Sequence, residues 1–221
     1  MSHQSVKMME PTLRIVFDTS ALMDLFGQQC TDSHHQHWGD LVKEVHILGP
    51  LKPFLFSTHD IRREVSEHMV VGGELDNYMV FEEVGDDELA SVKGFIANRR
   101  ADYSLTALCR RFELQGAKTF LITKDRTFVN DLNRACSTAI VVPPTGFAEA
   151  LTVLTPATSP NIHLAHHVQN NTFANLSRGM RLVQQTQGEA AYLDWQEFLD
   201  SQTEAKYELI EALKATGVNL G

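Results

Sequence analysis

Leu13–Ser20, LRIVFDTS, runs apolar through Leu13, Ile15, Val16 and Phe17 and then turns abruptly polar at Asp18, Thr19 and Ser20. A short apolar run of this kind reads as a strand buried on both faces. The small polar residues after it read as the start of a helix, Ala21–Phe26. Asp18 then stands at the carboxyl end of a strand, the edge along which open α/β sheets build their ligand crevices. The same residue also suits a plain helix cap, because an Asp side chain can accept from the first free amides of a helix. The rest of the chain decides between the two.

Outward from this stretch, apolar strands and helices alternate. Trp38, Leu41, Val42, Val45 and Leu48 recur at helical spacing, with Gly49-Pro50 as the stop. PFLFS, Pro53–Ser57, reads as a second strand, and Thr58, His59 and Asp60 offer caps for a helix running to about His68. Gly72-Gly73 breaks the chain, and Tyr78–Val84 suits a third strand. Asp86-Asp87 begin a helix striped by Leu89, Val92, Phe95 and Ile96, which Arg99 and Arg100 end. Asp102 opens the next, whose inner face carries Leu105, Leu108, Cys109 and Phe112 and whose stop is Gly116.

TFLIT, Thr119–Thr123, is a strand with Lys124, Asp125 and Arg126 at its end. A helix Thr127–Ala135, a strand Thr138–Val142 and a short helix through Phe147, Ala150, Leu151 and Leu154 follow. Such alternation predicts an α/β fold of three layers, α/β/α, around a mostly parallel sheet. Leu154–Asn161, LTPATSPN, reads as a linker. Beyond it only helices are expected, Leu164–Gln185 and Glu189–Ala215, with Ser201 and Glu204 resembling a capping box between them. The expected organisation is a flexible segment 1–12, an α/β domain 13–154, a linker 155–161 and an all-helical C-terminal extension 162–221. The extension's apolar stripe (Trp195, Phe198, Leu199, Ile210 and Leu213 among others) must dock on the parent domain or pair with another copy.

The whole chain narrows the classes. With 221 residues it is long enough for a sizeable core. No apolar run approaches the ~20 residues that span a bilayer. The polar start MSHQSVKMMEPT lacks a signal-peptide core, so a cytoplasmic location is expected. Three cysteines, Cys30, Cys109 and Cys136, are too few and too scattered for a disulfide framework or a zinc knuckle. A net charge of −9 argues against sequence-blind coating of nucleic acid, which needs an extended basic surface. It leaves room for a local basic rim. Two histidine groups, His34, His35 and His37 in a polar loop and His163, His166 and His167 at helical spacing, suit metal binding or plain solvent exposure.

Asp18, Glu64, Asp102 and Asp125 stand out by position: two follow strands and two sit in the first turns of helices. In a parallel sheet, strand ends and the helices leaving them share one edge. Carboxylates gathered there repel one another unless cations neutralise them. Mg²⁺ or Mn²⁺, which take oxygen ligands and keep several waters, are the natural partners. Such ions lower the pKa of bound water and stabilise charge on a phosphate under attack. Thr19 and Ser20 are placed to help position water or metal, and neither has a histidine partner at a recognisable spacing. Asp131, past Asp125 on the same helix, is either a fifth carboxylate of the group or part of a solvated helix face. Arg62, Arg63, Arg99, Arg100, Lys124 and Arg126 flank the acidic residues and offer a phosphate-holding rim, or else ordinary ion pairs. The substrate-binding candidates are Thr19, Ser20, Arg63, Arg100, Lys124 and Arg126.

IVFDTSAL with Asp18, FSTHDIRREV with Glu64, RRADYSLTAL with Asp102 and TFLITKDRTF with Asp125 together resemble the PIN-domain nuclease family, from about Leu13 to Leu154. The Asp125 motif is the most specific of them. The resemblance implies a PIN-like fold and a metal-dependent endoribonuclease, in which Asp18, Glu64, Asp102 and Asp125 bind Mg²⁺ or Mn²⁺ and activated water cleaves RNA. It also implies a homodimer or larger oligomer and, for a toxin-type member as opposed to an RNA-processing enzyme, an antitoxin partner. Two features depart from the compact toxin members: a stretch between Asp102 and Asp125 about one helical turn longer, and the appended helices. Two other classes stay open: a non-catalytic PIN-like scaffold that binds RNA or protein, and a Mg²⁺-dependent phosphatase. The latter usually pairs its aspartyl nucleophile with a second Asp two residues on, where this chain has Ser20.

Overall fold

A computed structural model describes residues 12–29, 38–68, 74–95, 99–135 and 137–221. Its centre is a five-stranded, all-parallel sheet. The strands are β1 (Leu13–Phe17), β4 (Leu55–Thr58), β5 (Val80–Glu82), β6 (Lys118–Ile122) and β7 (Ile140–Val142), in the spatial order β5-β4-β1-β6-β7. The separate pair β2 (Gly27–Gln29) and β3 (Trp38–Leu41) is antiparallel. In β1, Leu13, Ile15 and Phe17 face one side, where the Phe17 ring meets Phe147 edge-on at 5.0 Å. On the other side the Arg14 guanidinium lies over Phe56 and Phe112 at 4.8 and 5.3 Å. Cover on both faces is why the strand reads as an unbroken apolar run.

The chain goes out from β1 through β4 to β5, then returns to lay β6 and β7 on the other side of β1. The reversal puts the topological switch between the carboxyl ends of β1 and β6. Helix α1 (Thr19–Phe26) leaves β1, α2 (His59–His68) leaves β4, and α3 (Asp86–Val92) leads to α4 (Arg100–Leu114), which packs on β1, β4 and β6. Helix α5 (Arg126–Arg134) joins β6 to β7, and α6 (Pro144–Leu154) follows β7. The extension forms α7 (Ile162–Gln187), α8 (Glu189–Ser201) and α9 (Ala205–Ala215). Its apolar stripe docks on the parent domain: α7 packs on α1 and α6, and α9 on α6 and β7. Ala165, Val168, Leu209, Leu213 and Leu220 are buried in the same core as Ile15 and Phe17.

Several expected elements differ. The segment from Trp38 begins as strand β3 and continues as 3₁₀ turns over Lys43–Phe54, straight through Gly49-Pro50. Pro50 and Pro53 have no amide hydrogen to give an α-helical ladder, while buried Val45, Ile47, Leu48 and Leu51 hold the segment against the core. The helix after Asp86 ends at Val92, and Arg99 is the cap of α4. Phe95 is exposed instead of lining a stripe. The tail makes three helices, and no capping box forms at Ser201: its hydroxyl donates to the Phe198 carbonyl at 2.6 Å, and Glu204 is the cap of α9. The segment 1–11, Cys30, the His34, His35 and His37 loop, Gly72-Gly73, Ile96 and Cys136 lie outside the described residues. No helix among those described is long and apolar enough to cross a membrane.

Candidate active site

The switch point is built from strand ends in register. Phe17 pairs with Ile122, and the Asp18 amide extends that ladder by donating to the Ile122 carbonyl at 3.1 Å. Asp18 occupies the cap position of α1, yet its carboxylate makes no capping bond. Its Oδ2 accepts instead from Ser20 Oγ at 2.6 Å and Thr123 Oγ1 at 2.8 Å. Asp125 behaves differently: its Oδ1 accepts from the Phe128 amide at 3.0 Å, a regular cap of α5. Its own amide donates to Thr123 Oγ1 at 3.0 Å. Thr123 therefore links the two strand-end aspartates.

Glu64 lies in α2, and Thr19 Oγ1, from the first turn of α1, donates to its Oε2 at 2.7 Å. Asp102 sits in the first turn of α4. That end of α4 is held to β4 by the buried pair Thr58 Oγ1 and Ser104 Oγ, 2.8 Å apart. Ser57 Oγ donates to the Phe17 carbonyl at 2.8 Å. A seam of small buried hydroxyls thus fixes the carboxylates from below.

The carboxylates feel one another. Burial pushes the Asp18 carboxyl above its ordinary range. The Ser20 and Thr123 hydrogen bonds pull it back, while Asp125 and Glu64 push it further up. The half-buried Asp102 is raised to about 7, first by burial, then by Asp18 and Asp125, with Glu64 adding to them. Arg99 is the cation that opposes this rise. As they stand, among the described residues, no three His, Cys, Asp or Glu side chains form a group able to hold a metal ion.

Five of the six flanking basic residues stand in ion pairs. Arg63 and Arg100 both pair with Asp60, at 3.3 and 3.1 Å. Arg62 pairs with Asp76, Arg126 with Asp194 of α8, and Lys124 with the fully buried Asp24 of α1 at 2.7 Å. Asp131 is buried and pairs with Arg134 at 3.2 Å, so it does not lie on a solvated face. His163 and His166 are exposed, and His167 Nδ1 meets Glu44 Oε1 at 2.8 Å.

Sequence reasoning missed Thr123 and Asp24. Thr123 carries a legible signal, a hydroxyl ending a strand just before Lys-Asp. Asp24 carries none, since one Asp on a helix of apolar residues looks like a solvent-facing position. No protein-family model, curated protein or solved structure matches this chain.

Proposed function

We propose that this chain is a PIN-like, metal-dependent endoribonuclease whose centre is Asp18, Glu64, Asp102 and Asp125. One observation carries the reading. At the carboxyl edge of a parallel sheet, Asp125 and Glu64 push up the carboxyls of both Asp18 and Asp102, so the four residues, from separate elements, are coupled electrostatically. The groups bonded to Asp18 and Glu64 there are oxygen donors, the hydroxyls of Thr19, Ser20 and Thr123. That donor chemistry fits Mg²⁺ or Mn²⁺ and gives no foothold to a metal that prefers sulfur or imidazole.

Asp18 and Asp125 are the best-anchored ligands for such an ion, and Glu64 and Asp102 flank them. When bound, the ion supplies an acidified water and charge compensation for a phosphate. Ser20 and Thr123 hold the Asp18 carboxylate on its strand end, and Thr19 holds Glu64 towards α1. The Asp102 carboxyl, raised to about 7, gives up its proton when a cation arrives, so loading is favoured above neutrality.

A second reading, a non-catalytic scaffold, draws support from the rim, where Arg63, Arg100, Lys124 and Arg126 are all engaged in ion pairs. One experiment separates the two. A mixed pool of structured and single-stranded RNA is incubated with wild type and Asp18→Asn in Mn²⁺ or Mg²⁺. Metal-dependent cutting that the variant loses supports the nuclease. RNA binding without cutting by either protein supports the scaffold.

A further inference from the structure

Helix α8 belongs to the extension, yet it reaches the turn that presents Asp125. The Trp195 indole Nε1 donates to the Lys124 carbonyl at 3.1 Å, and Asp194 pairs with Arg126. These two contacts grip the residues on either side of Asp125. The Lys124 ammonium stands 6.0 Å from the Trp195 ring centroid, close enough for a cation–π attraction, and is bonded to Asp24 Oδ1 at 2.7 Å. Asp24 is fully buried, and its Oδ2 has no hydrogen-bond partner, so Lys124 is held as the counter-charge of an interior carboxylate. The indole also lies beside Gly179 of α7, where a methyl group would make ordinary contact, 3.5 Å from the ring and 3.9 Å from Lys124 Nζ. Asn171 and Asn175 of α7 donate to the Asp24 carbonyl, fixing α7 to the same turn of α1.

We propose that Trp195 and Asp194 are positioning residues: α8 clamps the Lys124–Arg126 turn and so sets where Asp125 stands relative to Asp18. The inference rests on the metal-centre reading above for its consequence, though the clamp itself can be observed without metal. A carboxylate at a strand end has freedom that its capping bond to Phe128 restrains only from the α5 side. On the β6 side the Asp125 amide is tied to Thr123 Oγ1 at 3.0 Å, and the indole bond to the Lys124 carbonyl adds a second restraint on the turn. Ligand-orienting contacts of this sort change metal affinity by about 10–100-fold when removed.

The test uses the full chain in two measurements. In metal-free wild type, Trp195→Phe, Trp195→Ala and Asp194→Asn, backbone hydrogen exchange is followed across β6 and the turn. Faster exchange over residues 124–128 in Trp195→Ala, with β6 unchanged, is expected. Exchange identical to wild type would overturn the clamp whether or not metal binds. Mn²⁺ affinity is then measured for the same proteins beside Asp18→Asn. Loss of binding in Asp18→Asn with about 10-fold weakening in Trp195→Phe, at an unfolding temperature near that of wild type, supports positioning. Wild-type affinity in both Trp195 variants overturns it. Equal affinity in wild type and Asp18→Asn instead removes the metal-centre reading, and hydrogen exchange alone then decides the clamp. If Asp194→Asn binds RNA more tightly and exchanges like wild type, α8 masks Arg126 and does not position Asp125.

Discussion

The acidic centre and the basic ring around it treat charge in opposite ways. Around the ring five of the six flanking cations have found an acid: Arg62 with Asp76, Arg63 and Arg100 with Asp60, Lys124 with Asp24, Arg126 with Asp194. At the centre, Asp125 and Glu64 push up the Asp18 carboxyl, and Asp18, Asp125 and Glu64 push up that of Asp102, with Arg99 opposing. A fold under selection for stability alone has no reason to leave acids together while matched pairs stand nearby, since repulsion at buried sites is costly. The contrast teaches why a cation from outside the chain is proposed for the centre. It also teaches that the flanking cations serve the architecture first.

The largest effect should come from the ring. Lys124→Met removes the counter-charge of the buried Asp24 carboxyl, which burial already pushes up, a change that costs about 3–5 kcal/mol, read as a lower denaturation midpoint. Combining it with Asp24→Asn should recover part of that loss. A Lys124→Met protein as stable as wild type would mean that the pair is not buried in solution.

Next comes the centre. Mn²⁺ at about one hundred times its dissociation constant should stabilise the fold by about 2.7 kcal/mol. In a chain of this size that is about 5–10 °C in thermal unfolding. Asp18→Asn should not respond.

In metal-free buffer the pH dependence has a definite sign. The Asp102 carboxyl sits at about 7 in the folded chain against an ordinary 3.8, and Asp18 is shifted the same way. Between those values the folded state keeps a proton that the unfolded chain has released, so stability falls as pH rises from about 4 to about 7. Unfolding followed against pH in a chelator should show this slope, and Asp102→Asn should flatten it. The smallest effect belongs to the exposed ring: Arg100→Ala should change stability by less than about 1 kcal/mol and leave Mn²⁺ affinity as it was.

The parts of this arrangement differ in how far they are written locally. β1 and β6 are legible because both faces are covered, so their runs are mainly apolar, and the one charge inside β1, Arg14, lies over aromatic rings. The positions of Asp18 and Asp125 follow from the strand ends, but the sequence leaves open whether each is a cap. The outcome differs between them because Thr123 and Ser20 engage the Asp18 carboxylate before an amide can. The recurrence of Trp38, Leu41, Val42, Val45 and Leu48 suggests a helix that stops at Gly49-Pro50, whereas the chain makes 3₁₀ turns over Lys43–Phe54, because a spacing of three, as from Val45 to Leu48, is shared by both helices. The ion pairs of Lys124 with Asp24 and Arg126 with Asp194 join residues far apart in the chain, so no local pattern could announce them.

Direct Mn²⁺ binding above neutral pH, followed by electron paramagnetic resonance on the metal-free protein, tests the unbalanced centre most directly. Wild type should remove the free-ion signal stoichiometrically, and Asp18→Asn should leave it. A wild-type protein that binds no Mn²⁺, or an Asp18→Asn protein that binds it equally well, would contradict a centre built to receive a cation.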